Sequence, residues 1–180
     1  MKIRLILLSA LLLGRSLAAE NLSSDVQAKI DERIKAVTAW AAEPVVVEAV
    51  RAHNAALPAE QAGLTQDKWR GLSVLDPLVR SLVKNHVGQF LKSKKDEIIT
   101  EAFVSDAAGL KVGFISKPSG WSHAGKPKHD VPMTGQNWQG PVEVDESSGQ
   151  QQVQVAVPVL DAGKPIGSLV VGLSITRLSQ

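Results

Sequence analysis

The sequence predicts an α+β fold, helices first and antiparallel hairpins after, on three observations. Beyond residue 20, apolar residues recur at three- and four-residue steps through the first half of the chain. After about residue 98 the period switches to two, as in half-buried strands. The β-type runs there are separated by turns that pass from an acid to glycine: Asp106-Ala107-Ala108-Gly109, Glu146-Ser147-Ser148-Gly149 and Asp161-Ala162-Gly163-Lys164.

The chain opens with Lys2 and Arg4, then an almost unbroken apolar run from Leu5 to Leu13, then the small residues Ser16-Leu17-Ala18-Ala19 before Glu20. This is the pattern of a secretory signal peptide over residues 1–19, cleaved after Ala18 or Ala19. The apolar run is too short to span a bilayer core, which takes roughly 20 helical residues. The expected product is a periplasmic or secreted protein with no membrane anchor after cleavage. Residues 20–180 are expected to form one domain, helical over 20–97 and sheet over 98–180.

In the helical part, Leu22, Val26, Ile30, Ile34, Val37 and Ala41 form an apolar stripe, with Asp25, Lys29, Asp31, Glu32 and Lys35 on the wet face. Ser23, Ser24 or Asp25 is the candidate cap. Pro44 interrupts the backbone while Val45, Val46, Val47 and Val50 continue the apolar density, so a kinked helix to about Ala52 is expected. A loop follows over residues 53–63. A second helical region then runs from Thr65 through Leu75, Leu82 and Leu91 to the basic cluster Lys92, Lys94 and Lys95, which suits a helix C-terminus.

In the second part, Glu101, Phe103 and Ser105 alternate with Ala102 and Val104, and Gln150, Gln152 and Gln154 with Val153, Val155 and Val157. Strands with one polar face are expected, and Gly167 and Gly172 mark close backbone approach in the last of them. Residues 117–140, rich in Gly, Pro, Lys and His, read as a long irregular excursion, a common place for function.

Charge narrows the function classes. The whole chain carries +2, but residues 1–19 hold Lys2, Arg4 and Arg15 without an acid, which leaves −1 for the remainder. A basic footprint for nucleic acid is therefore absent. With no Cys, no disulfide supports the fold, and stability must come from the hydrophobic core.

The succession Glu101, Phe103, Val104, Asp106 and Gly109, then Gln154 to Val159, then Asp161, Gly163, Lys164, Ile166 and Gly167, resembles the Cache family, also called PDC, of PAS-like extracytoplasmic sensor domains. The resemblance implies long N-terminal helices on a central antiparallel sheet of about five strands, helices on one side, and a ligand pocket beneath the irregular loop. It implies binding of a small polar solute of the amino-acid, organic-acid or amine class. Family members usually continue into a membrane helix and an output module, whereas this sequence ends at Gln180, so a free-standing domain is expected. A membrane-bound or periplasmic protein partner, and a homodimer through the helix of residues 22–50, are the assemblies this reading leaves open. The alternative is an interaction module with a closed pocket, associating through that helical face.

The candidate ligand-binding residues are Trp121, His123, Lys128, His129, Asp130 and Trp138 in the irregular segment, with Asp145 after it. Indole faces can wall a pocket or stack on a cation. Lys128 and His129 can meet an anion, and Asp130 an ammonium or hydroxyl. In relatives that bind amino acids an Asp at the place of Asp145 holds the amine, whereas their aromatic and Arg spacing is not reproduced here and the chain has no Tyr. Core packing is the competing role for each Trp, and exposed loop surface for His129 and Asp130. His123, His129 and Asp130 have no regular metal-ligand spacing, and no serine sits in a nucleophile elbow. Neither a metal, another cofactor nor an enzymatic activity is expected.

Overall fold

The computed structural model describes residues 22–144 and 150–180; the expected signal peptide, the candidate Asp145 and the expected turn over residues 146–149 fall outside them. The first helix, α1 (Ser24–Ala41), starts where Ser23 Oγ accepts the Val26 amide at 3.3 Å. The expected kinked helix is two helices. The chain leaves the helix at Ala42, and Pro44 opens α2 (Pro44–Ala55) as its first residue. A proline inside a helix removes an amide and clashes with the preceding turn, whereas at the first helical position its missing N–H costs nothing.

The second helical region is likewise three short helices rather than one. They are α3 (Gln66–Gly71), α4 (Pro77–Lys84) and α5 (His86–Ser93), capped by Thr65, Asp76 and Asn85, whose side chains accept the amides of Lys68, Leu78 and Gly88. These polar residues favour helix starts over helix interiors, so an apolar periodicity running through them is cut into pieces. A short 3-10 turn, Ala59–Gln61, lies in the intervening loop.

The sheet has five antiparallel strands, β1 (Ile99–Asp106), β2 (Lys111–Phe114), β3 (Trp138–Val144), β4 (Gln151–Asp161) and β5 (Lys164–Ser174), in the order β2-β1-β5-β4-β3. The α+β class is the one the sequence predicts, and the strand number is the one the resemblance implies. The β1–β2 turn closes because Asp106 Oδ1 accepts from the Ala108 and Leu110 amides (3.0 and 2.8 Å) while Gly109 takes φ +76°. Between β4 and β5 the turn has two central residues, Ala162 and Gly163, both with positive φ (47° and 79°), which matches the twist of a tight hairpin. The irregular excursion holds the helical turn α6 (Pro127–Asp130), a 3-10 turn (Pro132–Thr134) and the first residues of β3.

Both faces of the sheet are covered. On one face Val153, Val155, Val157, Leu169, Val171 and Leu173 pack under Ile30 and Val37 of α1, Val46 and Val50 of α2, and Val87 and Leu91 of α5. The last helix, α7 (Ile175–Leu178), adds Leu178 to this core. On the other face Phe103, Phe114, Ala156 and Val170 pack against Trp69 of α3, Val79 and Leu82 of α4, and Trp121. Helices thus flank the sheet on two sides, which corrects the one-sided arrangement: the aromatic residues of β1 and β2 need their own cover. In the apolar stripe of α1 and α2, Ile30, Val37, Val46 and Val50 are fully buried inside this chain. Among the described residues no helix is long and apolar enough to cross a membrane.

Candidate functional site

The second face of the sheet is only partly apolar. Strand alternation puts Glu101, Phe103 and Ser105 of β1 on it, in rows with Gly172 and Ser168 of β5 and Gln154 of β4. Where Phe103 and Val170 fill this face it forms the aromatic core just described; toward the C-terminal end of β5 it opens into a cavity of about 1020 Å³. The walls include Thr100, Glu101, Phe103, His123, Lys128 and Glu143. Gln152 and Gln154 also line it, so the polar face of β4 expected from the Gln alternation is a cavity floor and is buried.

Gly172 makes this floor. It stands between Glu101 and Gln154 in the register of three adjacent strands. A Cβ there would collide with Thr100 Oγ1 and lie 2.7 Å from Gln152 Oε1 and 2.8 Å from Glu101 Cγ. Without one, Gln154 Nε2 reaches across β5 to donate to Glu101 Oε1, and Thr100 Oγ1 donates to Gln152 Oε1. Lys128 Nζ then donates to Gln154 Oε1 at 2.8 Å. The amide of Gln154 is thereby fixed between an ammonium and a carboxylate, its oxygen toward one and its nitrogen toward the other.

A second polar cluster lies two rows along. Lys111 of β2, fully buried, donates from Nζ to Ser105 Oγ at 3.0 Å, to the Gly109 carbonyl at 3.3 Å and to His123 Nδ1, with Nζ 4.6 Å from the Phe103 ring centre. The His123 ring stacks on the same Phe103 at 4.8 Å between centroids. Burial, and then the charge of Lys128, bring the Lys111 ammonium down to about 7. Burial, followed by the charges of Lys111 and Lys128, pushes His123 to about 2, so its ring is neutral. Burial also lowers Lys128, against the pull of Glu101 and Glu143.

The remaining candidates serve other purposes. Trp121 is buried in the aromatic core, its ring centroid 5.2 Å from that of Trp69, and does not line the cavity. His129 is held by Ser168 Oγ at 2.8 Å and faces the Ala107 carbonyl at 3.4 Å, away from the cavity lining. Asp130 is exposed and accepts the Gly125 amide at 3.0 Å, closing its own loop. Trp138, half-buried at the start of β3, packs against the edge of the aromatic core. Of the candidates, the structure brings His123 and Lys128 together at the cavity; Asp145 lies outside the described residues. Residues the site reading missed are Lys111, Glu143, Gln152 and Gln154, together with Glu101, which entered only as a fold marker. The signal for the glutamines was in view: a strand whose polar positions are uncharged amides suits a buried polar floor.

The histidines and acids do not converge on a metal. His53 of α2 bonds Asp106 Oδ2 at 2.8 Å and Gln61 Oε1 at 2.7 Å, while His123 and His129 are engaged separately. Among the described residues no three His, Cys, Asp or Glu side chains are placed to hold an ion.

No protein-family model matches the chain, and no curated protein matches it significantly in sequence. Solved structures do match. The sensor domain of the Vibrio cholerae histidine kinase DctB superposes with a TM-score of 0.53 at 19% identity, over 87% of this chain and 53% of that one. The Escherichia coli DcuS sensor domain gives 0.47 at 15% identity, over 86% of this chain and 96% of the other. The ligand-binding domain of the Pseudomonas fluorescens chemoreceptor CtaA, solved with L-valine, gives 0.44 at 16% identity, over 86% and 57% of the two chains. This chain spans about half the length of the DctB sensor domain, 53% of it. The fold is that of the PDC/Cache-type sensor domains. At such low identity the likeness speaks for the fold, and function has to be argued from the cavity.

Proposed function

We propose that this chain is an exported, non-enzymatic binding domain of sensor type that takes a small polar solute in the cavity between the irregular segment and the sheet. The observation that carries this reading is the charge axis along the cavity. Glu101 and Glu143 line it with Lys128 and His123, and Lys111 stands behind His123 against Ser105 of β1. From Glu101 to Ser105, which Lys111 touches, β1 advances about 13 Å at roughly 3.3 Å per residue. A solute carrying an amine, a carboxylate or both fits such an axis. Export is supported by the signal pattern of residues 1–19, and a sensor role by the fold.

The non-enzymatic reading rests on how the polar groups are used: Lys128, Gln154 and Glu101 are tied into one bonded row, and the serines that meet a base, Ser105 at Lys111 and Ser168 at His129, are fully buried and outside the cavity lining. Calorimetry and thermal shift on the purified protein against amino acids, organic acids and amines test the reading. A solute at a hundredfold excess over its Kd adds about 2.7 kcal/mol to stability. Lys128→Ala is expected to lose anionic solutes and Glu101→Gln cationic ones. If none of the three classes stabilises the protein, the binding role is refuted.

A further inference from the structure

The Lys111–His123 pair is more than packing. Lys111 is an ammonium on a buried strand face whose hydrogen bonds go to a hydroxyl, a backbone carbonyl and an imidazole, and none to a carboxylate. Because Nδ1 of His123 accepts from Lys111, the ring proton sits on Nε2. That Nε2–H has no hydrogen-bond partner among the described residues. Every fully buried side-chain nitrogen and oxygen described does have one, so Nε2 is reached from the cavity that His123 lines. The cavity therefore holds a neutral N–H donor, on a histidine that is 7% exposed, with the buried Lys111 directly behind it.

The groups facing Lys111 set how it responds. β1 contributes Asp106 and Glu101, which favour its charge; α6 contributes Lys128, which opposes it, and His129; the segment before α6 contributes His123. A negative charge arriving at His123 Nε2 adds to the favourable side, in a place where little water screens it.

We propose that the cavity takes the anionic group of its ligand at His123 Nε2, beside Lys128, and that this binding places a proton on Lys111. The inference rests on the cavity being a solute site, and adds the ligand's charge and a pH dependence to that reading. Lys111 is half charged near pH 7 when the cavity is empty, which leaves it free to take up the proton. An anion that raises it by about one unit makes binding nearly tenfold tighter at pH 6 than at pH 9, with uptake of about half a proton at pH 7.5.

The probes are acetate and glutarate as anions, putrescine as a cation and glycerol as a neutral solute, with the purified protein. Titration calorimetry in two buffers of different ionisation enthalpy measures the protons taken up. Nitrogen NMR follows the His123 ring and the Lys111 ammonium. The expected result is binding of the carboxylates with proton uptake, a shifted Nε2 resonance and a Lys111 titration moved upward. In Lys111→Met the carboxylate affinity becomes independent of pH between 6 and 9. The wild-type NMR titration decides the matter even if that variant folds poorly. Carboxylate binding without proton uptake, or with Lys111 unmoved, overturns the proposal. Binding of putrescine or glycerol but of neither carboxylate overturns it while leaving the solute-binding reading intact. Binding of no probe, and of none of the amino acids, organic acids and amines tested above, overturns both.

Discussion

Replacing His53 with glutamine is predicted to destabilise the protein most at low pH. His53 lies on α2 and is buried, and both of its ring nitrogens face acceptors, Asp106 Oδ2 at 2.8 Å and Gln61 Oε1 at 2.7 Å. Two acceptors call for two N–H groups, which only the imidazolium has. Burial alone lowers the histidine, but the bonds to Asp106 and Gln61 and the Asp106 charge outweigh it, and the net direction is upward. Asp106 keeps its other oxygen on the Ala108 and Leu110 amides, so the substitution leaves the β1–β2 turn bonded and strips only the charge partner from a carboxylate that is 3% exposed.

Breaking a buried pair on one side costs about 3–5 kcal/mol, and a glutamine that still donates one hydrogen bond puts the expected loss near 3. For a chain of this size that is a fall in Tm of roughly 6–12 °C. The sign with pH follows from the raised value. Below the ordinary histidine range the full contribution is present; as the pH rises through the folded-state value the proton leaves and the contribution is lost, by at most about 1.4 kcal/mol per pH unit. Lys111 acts oppositely, its burial penalty easing from about pH 7 upward, but it is common to both proteins and cancels in the difference. Urea unfolding followed by tryptophan fluorescence at pH 5.5, 7 and 8.5 gives the gap directly. A gap that stays constant, or widens with pH, refutes the assignment of an imidazolium at His53.

Gly172→Ala is predicted to cost about 1–3 kcal/mol by overpacking and to weaken solute binding at least tenfold, because the new methyl displaces Gln152 and Glu101. Unchanged calorimetric affinity would count against the cavity floor described above. Trp69→Phe removes the N–H bond to the Pro118 carbonyl (2.8 Å) as well as ring area, and is expected to lower stability by about 2 kcal/mol in denaturant melts. Because Pro118 and its neighbours line the cavity, the same variant should also weaken binding. Ala162→Asn places a residue that tolerates left-handed backbone at φ 47° and is expected to raise stability by about 0.5–1 kcal/mol; a lower Tm would show that the turn is shaped otherwise.

Local physics left its trace in the sequence wherever neighbours along the chain decide the outcome. The switch from a helical to a two-residue period fixed the α+β class, and Asp106 to Gly109 and Asp161 to Lys164 fixed two hairpin turns. The resemblance supplied the sheet of about five strands. Helix boundaries were harder to place, because Asp76 and Asn85 cap helices within a run whose apolar period continues unbroken.

Of the site, His123 and Lys128 were legible as polar residues in an irregular segment, but their role was not. It arises from register, which joins residues far apart in the chain: Glu101, Gly172 and Gln154 meet because β1, β5 and β4 lie side by side. The same register brings Lys111 to Ser105, and the fold of the irregular segment lays His123 over Phe103. Trp121 shows the converse, a residue chosen for its aromatic face that the tertiary structure assigns to the core against Trp69. Sequence alone determined where the period changes and where the chain turns into hairpins, since those preferences act over a few residues. Only the tertiary structure decided which polar side chains share a water-poor cavity, since burial and charge act through space.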